Sequence, residues 1–163
     1  MAKGRKPPMT RSQVMSRVKG KDTRPEWRVR RYLWAQGLRY RLHARRLPGK
    51  PDLVFGGFRI ALFVHGCFWH SHPNCPNARM PKSRLDFWGP KLAGNAERDQ
   101  QNAAALEQEG WAVFTIWECE TRDERRLAEI TQAIRARGQQ QWFRASFKKA
   151  RDYAGHSQKE RNG

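Results

Sequence analysis

Cys67, His72 and Cys75 stand in a C-x4-H-x2-C arrangement, and Cys119 follows after a further 43 residues. Three thiolates and one imidazole make a donor set for tetrahedral structural zinc, with every position filled and none open to a substrate. The competing reading is three buried cysteines beside a surface histidine. A loop carrying Pro73, Asn74 and Pro76 has little apolar material to hold its shape, which favours the metal. Spacing leaves one exchange open, because Cys67 and His70 also form a C-x2-H pair. A second set offers harder donors. Asp52 follows Pro51 at the start of one apolar segment, and Val64-His65-Gly66 closes the next. Folding these two segments about Gly56-Gly57 brings Asp52 near Ala61 and within a few residues of His65. A carboxylate beside a histidine suits Mg2+-dependent hydrolysis of a phosphodiester, the carboxylate as metal ligand and His70 as general base. Taken alone, an aspartate after proline is also an ordinary turn former.

Phe68 and Trp69 flank His70, and Phe87-Trp88 recur before Gly89-Pro90. Aromatic side chains in the loops of a basic protein either wedge between base pairs or pack as a satellite core over the metal loop. The charge distribution bears on that choice. Lys and Arg number 33 against 15 Asp and Glu, for a net charge of +18. Residues 1–50 carry net +14, residues 51–138 net zero and residues 139–163 net +4. A neutral centre with basic ends is the footprint of a polyanion binder, so nucleic acid is the leading partner. An anionic membrane is the rival, but it would require an apolar helical face opposite the cations, and here arginines fall on every side.

These residues need elements to position them. Residues 1–11 read as a basic arm and 139–163 as a basic tail, around one domain at 12–138. Residues 12–19 suggest a short helix. Thr23-Arg24-Pro25-Glu26 has the capping-box spacing with proline in the first turn, which predicts a helix over 24–36 stopped by Gly37. Leu38, Tyr40 and Leu42 alternate with Arg39, Arg41 and His43 as in a half-exposed strand. Residues 52–55 and 58–64 read as a hairpin about Gly56-Gly57. An irregular stretch over 65–90 follows. A helix ending at Gly110, a strand over 111–117 and a last helix from 123 ending at Gly138 complete the chain. The order is that of an α/β architecture with a small mixed sheet. The longest apolar run, residues 60–64, is far short of the roughly 20 residues that span a bilayer. With a basic N-terminus and an odd number of cysteines, this favours a reducing compartment over secretion.

Leu47-Pro48-Gly49-Lys50-Pro51-Asp52, Val64-His65-Gly66-Cys67-Phe68-Trp69-His70, Asp86-Phe87-Trp88, Asn95-Ala96-Glu97-Arg98-Asp99 and Trp117-Glu118-Cys119 together resemble the very-short-patch-repair (Vsr) DNA mismatch endonucleases. The resemblance runs over about residues 10–138. It implies a variant of the restriction-endonuclease fold, with a structural zinc at Cys67, His72, Cys75 and Cys119. It also implies an enzyme that nicks duplex DNA 5′ of the thymine in a T·G mismatch left by deamination of 5-methylcytosine. Asp52 and the Val64 backbone carbonyl would then hold Mg2+. His65 and His70 would flank the scissile phosphate, with Asp99 orienting His70 and Glu26 at the metal-bound waters. Phe68, Trp69 and Trp88 would wedge beside the mispair, with Met15 entering from the other groove. Arg17, Lys19, Lys91 and Asn95 are expected as further duplex contacts. The implied setting is a cytoplasmic monomer on the bacterial nucleoid, without membrane contact, linked functionally to a cytosine-5 DNA methyltransferase and to repair proteins.

Overall fold

The computed structural model describes residues 20–42 and 44–159, with side chains as far as residue 143. The basic arm, the expected helix over 12–19 with Met15, Arg17 and Lys19, and His43 lie outside the described residues.

Helix α1 spans Arg24–Ala35. Thr23 caps it as its spacing requires: Glu26 N–H donates to Thr23 Oγ1, and Thr23 N–H donates back to the Glu26 carboxylate at 3.3 Å. Gly37, left-handed at φ +79, turns the chain away from the helix. The alternation over 38–42 yields a strand of two residues only, β1 at Arg41–Leu42. Leu38 N–H goes to the Leu33 carbonyl, and the Tyr40 hydroxyl donates to the Arg30 carbonyl at 2.9 Å. This stretch is therefore held by α1 before it reaches the sheet, and Leu42 is left exposed.

Strands β2, Leu53–Phe55, and β3, Ile60–His65, run antiparallel, with Leu53 opposite Leu62 and Phe55 opposite Ile60. A two-residue Gly-Gly turn would have paired Phe55 with Phe58. Instead Gly56–Phe58 makes a 3-10 turn, closed by Arg59 N–H on the Gly56 carbonyl at 3.2 Å with Arg59 left-handed. The longer turn shifts the pairing by two residues, so Asp52 comes level with Phe63 rather than Ala61.

Helix α2, Leu85–Gln108, begins earlier than expected and contains Phe87, Trp88, Gly89 and Pro90. Pro90, the sixth residue of α2, lies past the first turn, so it forfeits one backbone bond and its ring crowds the Asp86 carbonyl. Strand β4, Ala112–Trp117, lies parallel to β3, from Ile60 opposite Ala112 to His65 opposite Trp117. Such pairing needs a crossover, which α2 provides. The last helix, α3, runs Glu124–Lys159 and passes through Gly138 instead of stopping there. A Cβ at Gly138 would come within 2.9 Å of the Phe58 ring. That glycine serves close packing on the hairpin turn, not termination.

The sheet order is β1-β2-β3-β4, a mixed α/β sheet flanked by helices. Its pleat sorts residues between two faces. Leu53, Phe55, Ile60, Leu62 and Ile116 pack with Val29 and Leu33 of α1 and Leu127, Ile130 and Ile134 of α3. The alternate residues Asp52, Phe63, His65, Val113, Thr115 and Trp117 face a cleft on the α2 side. Among the described residues no helix is long and apolar enough to cross a membrane.

Alanine is the better helix former by about 1 kcal/mol, yet a methyl group at position 138 overpacks the Phe58 ring, at a cost of about 1–3 kcal/mol. Gly138→Ala is expected to lower Tm by a few degrees, and adding Phe58→Leu to recover most of the loss. Thermal melts of the two variants check this.

Candidate active site and metal centre

The cleft holds about 1130 Å3 and is walled by the segment that leads into β2, by β3 and the loop after it, by β4, by α2 and by the N-terminal turn of α1. At its floor Asp52 Oδ2 accepts the Val64 N–H at 2.8 Å, a bond that the shifted hairpin register makes possible. His65 is next along β3. Its ring stacks on His70 at 3.9 Å between centroids and 6° between planes. His70 Nδ1 meets Asp99 Oδ2 from α2 at 2.6 Å. The carboxylate accepts the Nδ1 proton, leaving Nε2 of a neutral imidazole as the basic nitrogen. Burial, and then the neighbouring His70, lower the His65 pKa to about 4, against a smaller opposing pull from Asp99. Burial and a stacked neighbour both disfavour a charged ring, so His65 stays neutral.

His70 and His72, which spacing could not separate, go to different places. Ser71 between them is left-handed at φ +52. His70 N–H bonds the Gly66 carbonyl at 3.1 Å and His72 N–H the Cys67 carbonyl at 3.0 Å. His72 thereby joins Cys67, Cys75 and Cys119, whose donor atoms all lie within 4.8 Å of one another. The Cys75 and Cys119 sulfurs are 3.9 Å apart, and Cys119 Sγ is 3.4 Å from His72 Nδ1. Tetrahedral zinc with Zn–S near 2.3 Å has S···S edges of about 3.8 Å and S···N edges of about 3.5 Å. The cluster fits that ion. The cysteines are free thiols, and burial together with the Cys67 and Cys75 sulfurs pushes the Cys119 thiol up to about 12. A cation at the centre relieves that crowding.

Trp117, level with His65 on the neighbouring strand, joins the two sites. Its ring stacks on His72 at 4.2 Å and meets His65 edge-on at 5.4 Å. The sequence gives Trp117 no role of its own, although its place two residues before Cys119 at a strand end is the available signal. Lys50 and Glu118 also line the cleft and were likewise missed.

The aromatic residues form one half-exposed cluster. Trp88 lies 5.3 Å from Phe68 and 6.0 Å from Trp69, and Phe68 is 5.2 Å from Trp69, all ring to ring. Phe87 packs on Trp88 and is 43% exposed. Asn95, expected as a duplex contact, donates to the Trp69 carbonyl at 2.9 Å and so ties this loop to α2. Lys91 lines the cleft and lies 5.7 Å from the Phe87 ring. Glu26 also lines the cleft, but it is 3% exposed and its carboxylate accepts from Asp22 N–H, Thr23 and Arg30, the last at 2.6 Å. Asp52 offers the hard carboxylate oxygen that Mg2+ takes, beside the backbone of Val64.

The family model described as DNA mismatch endonuclease Vsr matches residues 6–76. Over 116 residues the chain is 52% identical to the type II nicking enzyme V.XorIIP of Xanthomonas oryzae pv. oryzae, covering 71% of this chain and 85% of that protein. It is 39% identical over 120 residues to the DNA mismatch endonuclease Vsr of Escherichia coli K12, covering 74% and 76%. Among solved structures, the catalytic domain of the homing endonuclease I-Bth0305I superposes at TM-score 0.47 and 19% identity, over 74% of this chain and 98% of that one.

Elemental analysis of the purified chain should find about one zinc per molecule. Chelation should lower Tm, and Cys119→Ser should lose both the zinc and the stability. A chain without zinc, whose melting Cys119→Ser leaves unchanged, would contradict the metal centre.

Proposed function

Because the chain belongs to the Vsr DNA mismatch endonuclease family, and is thus a DNA-nicking endonuclease, we propose that it hydrolyses one strand of duplex DNA with Mg2+ at a T·G mispair, 5′ of the thymine. The observation that carries this reading is the meeting of Asp52, His65, His70 and Asp99, from three elements, in one cleft, bordered by the aromatic cluster.

His70 Nε2 takes the proton of the attacking water, and the carboxylate of Asp99 fixes the ring and stabilises the imidazolium as it forms. His65, kept neutral, donates or accepts a hydrogen bond at the phosphate without repelling His70. Asp52 and the Val64 carbonyl would hold Mg2+, which supplies charge neutralisation at the phosphate when bound. Glu26, at the edge of the same cleft, would face the waters of the bound metal. Phe68, Trp69 and Trp88 are already assembled, half-exposed and tied to α2, so they can enter a base step without first being ordered. Unstacking is cheapest at a mispair, which lets the wedge contribute to selection. Met15 from the opposite groove, and Arg17, Lys19 and Lys91 at phosphates, complete the proposed contacts, with the catalytic unit in residues 12–138.

One observation favours a second reading. V.XorIIP, more similar to this chain than the mismatch endonuclease of Escherichia coli, is called a type II nicking enzyme. A nuclease of the same fold with another lesion or sequence specificity is the alternative.

Labelled duplexes that differ only in one T·G or T·A pair, incubated with Mg2+ or EDTA, separate the two. The proposal predicts a Mg2+-dependent nick beside the thymine of T·G alone. Equal nicking of both duplexes would retain the nuclease and discard mismatch selection. Asp52→Ala should abolish nicking while mismatch binding survives in a gel shift.

A further inference from the structure

Glu26, Asp52, Asp99 and Glu118 put four carboxylates around the cleft. A phosphodiester entering it is repelled unless a cation stands close by. Lys50 is fixed there by its backbone. It lies two residues before Asp52, is exposed on the cleft wall, and is left-handed at φ +52. That conformation is costly for any residue with a side chain, and a following proline disfavours it further.

The surroundings enforce it. Gly49, at φ +68, packs so tightly on α2 that a Cβ there would lie 3.0 Å from the Asn102 side chain. Pro51 is fully buried on the other side, and Lys50 N–H bonds the Leu47 carbonyl at 3.0 Å. Glycine would take this conformation without strain. A lysine where the fold favours glycine, beside the carboxylate at the reaction centre, points to function.

We propose that Lys50 binds the phosphate that is broken. Its ammonium donates to a non-bridging oxygen of the phosphodiester next to Asp52, where negative charge builds as water attacks. This rests on the nicking reading. No proton is transferred through it; its contribution is charge and position.

Lys50→Gly should raise Tm by a few degrees, since the strain is removed, and slow single-turnover nicking by about tenfold or more. Lys50→Arg should stay within about threefold of the parent rate, because a cation is retained. Binding in EDTA provides a readout that does not depend on cleavage. A neutral methylphosphonate is moved along the mismatched duplex one phosphate at a time. The affinity difference between parent and Lys50→Gly should vanish at one position only and persist at the others. In a parent that binds but never nicks, the nicking reading would fail while that single position still established the phosphate contact. An affinity difference that vanishes nowhere, or Lys50→Gly nicking at the parent rate, would overturn the proposal.

Discussion

The register of three strands governs everything else in this molecule. Leu53 lies opposite Leu62 and His65 opposite Trp117, and the pleat then sends leucines and isoleucines to the helices α1 and α3 while Asp52, His65 and Trp117 face the cleft. Sliding β3 by one residue would exchange the two sets, burying His65 and exposing Leu62. Hydrophobic burial on one face thus fixes the chemistry on the other. The bond from Val64 N–H to Asp52 exists only in this register.

The segment from His65 to Cys75 serves two sites at once. His65 and His70 belong to the cleft, while Cys67, His72 and Cys75 belong to the metal centre, with Ser71 turning the chain between them. Cys119 ties that loop to the end of β4, and Trp117 touches a histidine of each site. A zinc ion held by that cluster would brace the backbone that carries His70. Phe68 and Trp69 of the aromatic cluster belong to the same loop, so the Cys3His cluster, the His70–Asp99 pair and the aromatic cluster share one support.

Donor chemistry was the most legible layer. Cysteines are few in this chain, and their spacing with a histidine already narrows the choice of ion; Asp52 after Pro51 and the capping box at Thr23 and Glu26 are equally local signals. What the sequence hid depends on distant contacts. The hairpin turn looks like a two-residue Gly-Gly turn, but Phe58 packs on Gly138 and the longer turn shifts Asp52 to where it meets Val64. Gly138 reads as a helix stop for the same reason. Gly89-Pro90 masked the start of α2, and the division of labour between His70 and His72 rests on one left-handed residue. Asp99 became a partner of His70 through the family resemblance, since nothing local joins residues 29 apart.

In the proposed mechanism His70 and Asp99 act as one base, with the carboxylate working only through the imidazole. Single-turnover nicking rates of His70→Ala, Asp99→Asn and the double variant test it most directly. Asp99→Asn should slow the reaction by about a hundredfold or more, and the double variant should be no slower than His70→Ala. Independent, multiplicative losses, or an Asp99→Asn enzyme as fast as the parent, would contradict it.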